Sequence, residues 1–151
     1  MNTNQQPSGI DTKVLLSTLW LFVLLNMIFR DIHEIGTVEF LEQAMTGVFN
    51  GTVITDELLL FAGIMLELPI AMVLFARILG YRINRVFNLI TAVIMTAAVV
   101  SSNLAPDLDD MFFAAVEILA LLFIMWTAWR WVNPELSTKQ LMNLTPQKEY
   151  A

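Results

Sequence analysis

The sequence predicts an all-α integral membrane protein, a four-helix bundle with a short interfacial helix in its first outer loop. Three observations lead there. The chain of 151 residues is 57% hydrophobic and only 15% charged, with a mean hydropathy of +0.66; a soluble domain typically carries about 25% charged residues. The charges gather in short patches that leave long apolar runs between them. Each run has ~16 to 20 apolar-dominated residues, close to what a hydrocarbon core ~30 Å thick demands of a helix. Helix is the only open-ended structure that satisfies its own backbone polar groups in lipid.

The spans are expected over residues 14–30, 58–76, 86–101 and 111–129. The first and third are at the short end, and Lys13, Arg30 and Arg85 at their margins have stems long enough to reach the interface. The first apolar run ends in Phe29-Arg30-Asp31, without a small-residue cleavage site, and reads as a retained span and not as a signal peptide. Between the first two spans, Thr37 to Asn50 interleaves Val38, Phe40, Leu41, Met45 and Val48 with Glu39, Glu42 and Gln43. That pattern predicts a short helix lying on the membrane surface, or alternatively a lid over the bundle. Asn50-Gly51 marks a turn, and Thr55 before Asp56 and Glu57 is a helix start. The domain organisation follows: a polar stretch over 1–13, a transmembrane domain over 14–132 and a polar tail over 133–151.

Loop charge orients the bundle. Arg77, Arg82 and Arg85 lie between spans two and three with no acid among them. Asp31, Glu34, Glu39, Glu42, Asp56 and Glu57 fill the first outer loop, and Asp107, Asp109 and Asp110 the second. The excess of Arg and Lys in cytoplasmic loops then places both termini and the Arg loop in the cytoplasm. Trp126, Trp129, Trp131 and Tyr81 fall at that same level and read as interfacial anchors.

Composition also excludes. The chain has no Cys, so thiolate chemistry and disulfides are absent. A net charge of −6 speaks against nucleic acid as a partner. No Gly-rich phosphate loop is present, no spacing matches a strong metal motif, and no cofactor or catalytic residue is assigned. His33 is the sole His and stands with Asp31 and Glu34 as an outer-surface candidate.

The chemistry sits in two acids at membrane depth, Glu67 and Glu117. A charge there costs roughly 2.5 to 3.5 kcal/mol on insertion scales, so such residues are usually paired, protonated or functional. Helix rise puts Glu117 ~10 Å and Glu67 ~16 Å below the outer face. Asn26, Thr91 and Thr96 fall in the same two layers. One buried polar cluster of Asn26, Glu67, Thr91, Thr96 and Glu117 is therefore expected if those faces converge. Arg30 shares a face with Asn26 and is expected either to turn inward to Glu117 or to pair with Asp31 or Glu34. Asn84, Asn88 and Thr91 make a second polar stripe on span three. Pro69 frees the carbonyl of Met65 beside Glu67, a conceivable cation or proton site. The plain alternative is that these groups only hydrogen-bond across helices and hold the bundle together.

Three stretches carry a resemblance: Leu16 to Ile32, Met65 to Ile94 with its Glu67-Leu68-Pro69-Ile70 core and Tyr81-Arg82-Ile83-Asn84-Arg85 loop, and Phe112 to Glu135 with Glu117 ahead of the Trp residues. They resemble the small four-helix prokaryotic membrane proteins of domain of unknown function 6326. The resemblance implies the fold and a prokaryotic inner-membrane setting but no reaction. In that family the position of Arg30 usually holds a smaller or uncharged residue, so an Arg30–Glu117 pair is expected to be particular to this chain.

Two functions stand level: a small proton, cation or solute carrier or channel component built on Glu67 and Glu117, and a non-catalytic accessory or assembly subunit. An intramembrane enzyme acting on a lipid or quinone ranks below both. The expected partners are the bilayer and a homo-oligomer or larger membrane complex. The discriminating observation is whether either Glu faces out of the bundle.

Overall fold

The computed structural model describes residues 10–49, 51–102 and 108–133. Four long helices are apolar and long enough to cross a membrane: α1 (Thr12–Ile35), α3 (Asp56–Ile78), α4 (Tyr81–Ser102) and α5 (Leu108–Arg130). Between the first two lie α2 (Val38–Thr46) and a two-stranded hairpin, β1 (Val48–Phe49) and β2 (Thr52–Val53). Most of both polar tails, together with Asn50, Asn103 and Asp107, falls outside the described residues.

The helices run past the apolar runs at both ends. α1 continues through Asp31, His33 and Glu34 and stops at Gly36, and α4 begins at Tyr81, so the Arg-rich segment is helical except at Leu79 and Gly80. Apolar content marks where lipid is, whereas the helix ends where a cap or turn residue lets it. Asp11 accepts from the Lys13 backbone N–H, and Thr55 accepts from that of Leu58. The surface helix is shorter than the segment that predicts it. Thr37 caps it, Gly47 in the left-handed region (φ 68°) ends it, and the hairpin follows. The pairing of Phe49 with Thr52 leaves a two-residue turn whose second position, Gly51, has φ 78°.

The bundle is antiparallel in sequence order, with one basic end (Lys13, Arg77, Arg82, Arg85, Arg130) and one acidic end (Asp31, Glu34, Asp56, Glu57, Asp109, Asp110). Inward residues follow three-and-four spacing, the seam of 3-4 helix packing. On α1 the seam is Leu16, Trp20, Val23, Met27 and Arg30; on α5 it is Ala114, Glu117, Leu121, Ile124 and Ala128. On α3 it is short. Pro69, Met72 and Ala76 are buried, and no residue between Asp56 and Leu68 is. The core thus draws on α3 only in the basic half of the bundle, while Met95, Val99 and Ala114 carry it on into the acidic half from α4 and α5; α3 leaves it at Pro69. Proline deletes one backbone hydrogen bond and its ring crowds the preceding turn, so a helix bends most easily there.

Polar contacts lock the basic half. The Trp20 indole N–H donates to Asn88 Oδ1 at 2.7 Å, Asn88 Nδ2 donates to Asn84 Oδ1 at 2.6 Å, and Asn84 Nδ2 donates to the Ala76 carbonyl at 2.6 Å. This chain of bonds ties α1 to α4 and α4 to the last turn of α3, where carbonyls have no helical donor. Ser17 Oγ donates to the Val73 carbonyl at 2.7 Å and accepts from Arg77 Nε at 3.1 Å. At the rim, the Tyr81 hydroxyl donates to the Trp131 carbonyl at 2.8 Å, and Arg130 lies 4.8 Å from the Trp126 ring centre.

Asn88→Leu would leave the Trp20 N–H buried without an acceptor. It is expected to destabilise the bundle by ~1 to 3 kcal/mol in thermal unfolding in detergent. Adding Trp20→Phe should recover part of that loss, because the orphaned donor goes with it.

Candidate functional site

The polar residues expected in one cluster separate into three places. The first is a closed ion-pair site between α1 and α5. Glu117 is fully buried on the inward seam of α5. Its Oε2 lies 3.2 Å from Arg30 Nη1 and its Oε1 accepts from Asn26 Nδ2 at 3.2 Å. Asn26 Nδ2 also reaches the Phe113 carbonyl at 3.2 Å, one turn earlier on α5. Arg30 extends its other arm toward Asp31, Nη2 to Oδ1 at 3.6 Å. The two partners expected for Arg30 as alternatives are therefore held together. The arrangement follows from spacing: Asn26 and Arg30 are one turn apart on one face of α1, so both address the same carboxylate. Ala114, one turn from Glu117 and buried, is small enough to let α1 come close.

A charged pair away from water is strongly destabilised if one partner is lost, whereas the intact pair is compensated. Glu117 here has the Arg30 guanidinium on one oxygen and the Asn26 amide on the other, so both carboxyl oxygens are engaged. Above it, His33 Nε2 lies 3.2 Å from Asp109 Oδ2 in an exposed contact, joining the same two helices at the acidic end. Glu34 is partly buried beside it.

The second place is α4. Thr91 is buried with Asn84 and Asn88, while Thr96 Oγ1 donates back to the Ala92 carbonyl of its own helix at 2.8 Å. Neither reaches Glu117. The third is Glu67, which is exposed on the face of α3 opposite Pro69, Met72 and Ala76. This corrects the expectation of a single cluster. Depth along the bilayer does not fix rotation about the helix axis, and the buried stripe of α3 turns Glu67 outward. Met65 itself lines the crevice on the inner side of α3, away from the exposed Glu67.

Two features went unread in the sequence. Trp20 is a buried hydrogen-bond donor, and its place in the Leu16-Trp20-Val23-Met27-Arg30 seam was the available signal. A crevice of about 500 Å³ lies between the acidic halves of α1, α3 and α4, walled by Met27, Met65, Met95 and Phe61. It exists because α3 leaves the core at Pro69, which only the packing reveals.

These features define a class: a multi-pass helical membrane bundle with one acid paired inside it and a second presented on its outer face. The chain belongs to the family of unknown function DUF6326, whose model matches residues 9–138. Neither the curated proteins nor the solved structures contain a match to it.

Arg30→Met is expected to cost ~3 to 5 kcal/mol, since it strands the Glu117 charge. The double variant Arg30→Met, Glu117→Met should be more stable than either single one. A double-mutant cycle on unfolding in detergent measures the coupling, and additive losses would show that the pair is not one unit.

Proposed function

We propose that the protein is a non-catalytic membrane assembly subunit that associates laterally, α3 against the α3 of a second copy. The observation that carries this is Glu67, exposed on the outward face of α3 at roughly mid-bilayer depth. Facing lipid alone, its charge would cost about 2.5 to 3.5 kcal/mol. Glu67 belongs to an outward seam with the same three-and-four spacing as the inner ones: Leu60, Gly63, Glu67, Ile70, Leu74, Arg77, all exposed. Only Gly63 and the terminal Arg77 break the pattern of an apolar knob row around one carboxyl. Gly63 has open space where a Cβ would stand, so a neighbouring backbone can approach closely.

A second copy fits that seam without further assumption. Two chains inserted in the same direction present parallel α3 helices related by a two-fold axis. Glu67 then meets its own twin at equal depth, where two carboxyls hydrogen-bond through one shared proton. A polar residue in an otherwise apolar seam also fixes register. An unrelated partner would have to bring its own donor to this depth.

The bundle is read in a prokaryotic inner membrane with its basic end and both termini in the cytoplasm, from the Lys and Arg asymmetry of its ends. Asn26, Arg30 and Glu117 serve as the lock between α1 and α5. Asp31, His33 and Glu34 face the outer compartment. Conduction through Glu67 and Glu117 in series is disfavoured, because α3 stands between the two carboxyls and Glu117 is already engaged.

The chain has no Cys, so single-cysteine cross-linking tests the seam directly. In membranes, Ile70→Cys and Leu74→Cys should oxidise to disulfide-linked dimers, and Leu119→Cys, exposed on α5, should not. Glu67→Leu is expected to lower the dimer fraction measured by energy transfer between labelled chains, with Glu67→Gln retaining most of it. Equal cross-linking at Ile70 and Leu119 would refute the assignment.

A further inference from the structure

The crevice between α1, α3 and α4 is separate from the outward seam, touching it only at the margin held by Gly63. Its volume, about 500 Å³, falls within the range of small-molecule sites, ~300 to 1,000 Å³. The deeper walls are apolar and adaptable: Met27, Met65 and Met95 come from three different helices, with Phe61 beside them. Thioether side chains reshape easily around flexible apolar ligands. At the acidic end the lining changes to Arg30, Asp31 and Ser101. The site is therefore amphiphilic, with an apolar body and a polar mouth.

What the mouth presents is specific. Arg30 is turned to Glu117 at 3.2 Å and to Asp31 at 3.6 Å. The exposed Ser101 hydroxyl donates to the Ala98 carbonyl at 2.9 Å, so its oxygen is left as an acceptor. The Asp31 side chain is 54% exposed and touches Arg30 through Oδ1. Of the lining residues Arg30 and Asp31 carry opposite charges, and the Arg30 charge is shared with Glu117 behind the wall. Glu34, Asp109 and Asp110 add negative charge at this end. A mouth of acceptors in a negative field selects a cationic head with N–H donors and repels an anionic one.

We propose that this crevice binds a lipophilic primary amine, an alkylammonium whose chain lies among the methionines and whose head is held by Asp31 and Ser101. Access is sideways from the bilayer, where the acidic half of α3 carries no buried residue. The ammonium replaces water at the Asp31 carboxylate with a charge-assisted bond, while Arg30 stays on Glu117.

The test is binding of radiolabelled dodecylammonium to the full-length protein in phosphatidylcholine nanodiscs, measured over empty discs. One saturable site per chain is expected, displaced by unlabelled amine and not by dodecyl sulfate, which shares the chain but reverses the head. Asp31→Asn should weaken binding about tenfold or more. Ala98→Trp, which fills the crevice from α4 and leaves the seam untouched, should abolish the saturable part. Equal competition by the sulfate, or amine binding by Asp31→Asn at the wild-type level, would overturn the proposal. So would saturable binding that survives in Ala98→Trp. Asp31 is half-exposed, so its variant decides the matter even if the Trp variant does not fold. A failed dimer with intact amine binding would count against the α3 seam alone.

Discussion

Arg30 meets Glu117 at 3.2 Å, in a place where the carboxylate has no exposed surface. A lone anion there would be too costly to keep, so the two helices that carry the pair must stay together along their acidic halves. That single requirement sets the rotation of both. Once Arg30 and Glu117 face each other, the seams of α1 and α5 are fixed every three and four residues back to the basic end. Leu16, Trp20 and Val23 then enter one core with Leu121 and Ile124 as a consequence. Asn26 adds a second donor to the carboxylate and a bond to the Phe113 carbonyl, which resists sliding of one helix along the other.

The other pair of helices depends on a different device. α4 has no charge in its inward face and uses amides: Trp20, Asn88, Asn84 and the Ala76 carbonyl form one relay across three helices. This relay lies wholly in the basic half. Nothing comparable holds α3 at the acidic end, where none of its residues before Pro69 is fully buried and only Met65 and Leu68 are partly so. The bundle is thus tight at one end on all four helices and tight at the other among α1, α4 and α5, where Met95, Val99 and Ala114 are buried, with α3 standing off. The methionine-lined crevice is the direct geometric result.

Much of this was legible in the residues. Four apolar runs broken by charged patches are enough for four helices, and the spacing of Asn26 and Arg30 was enough to put both on one face, with Glu117 among the partners open to Arg30. Thr55 as the start of the second span is visible in the sequence because capping is a local property of three or four residues. Rotation is not local. Glu117 and Glu67 look alike as isolated acids in apolar runs, yet one is buried and the other exposed. What separates them is the company on each face. Glu117 shares its face with Ala114, Leu121 and Ile124, against which α1 packs, whereas Glu67 stands opposite Pro69, Met72 and Ala76. The hairpin after α2 escaped for another reason: two-residue strands carry too little periodicity to be read.

The two acids also follow one rule with two outcomes. In hydrocarbon a carboxyl needs a donor, and the chain contains a single arginine at the right depth to supply one. Arg30 is committed to Glu117, and Arg77, though on the same outward face as Glu67, lies ten residues toward the basic end, ~15 Å away along the helix, where it bonds Ser17. Glu67 therefore has no partner within reach along its own helix face, and the inner helices are on its far side. A self-sufficient bundle of this size would carry a leucine there. Retaining a carboxyl at the centre of a smooth seam, one turn from a glycine, makes physical sense when the missing donor arrives on another helix, and the most economical source is the same residue on the same face of a second chain.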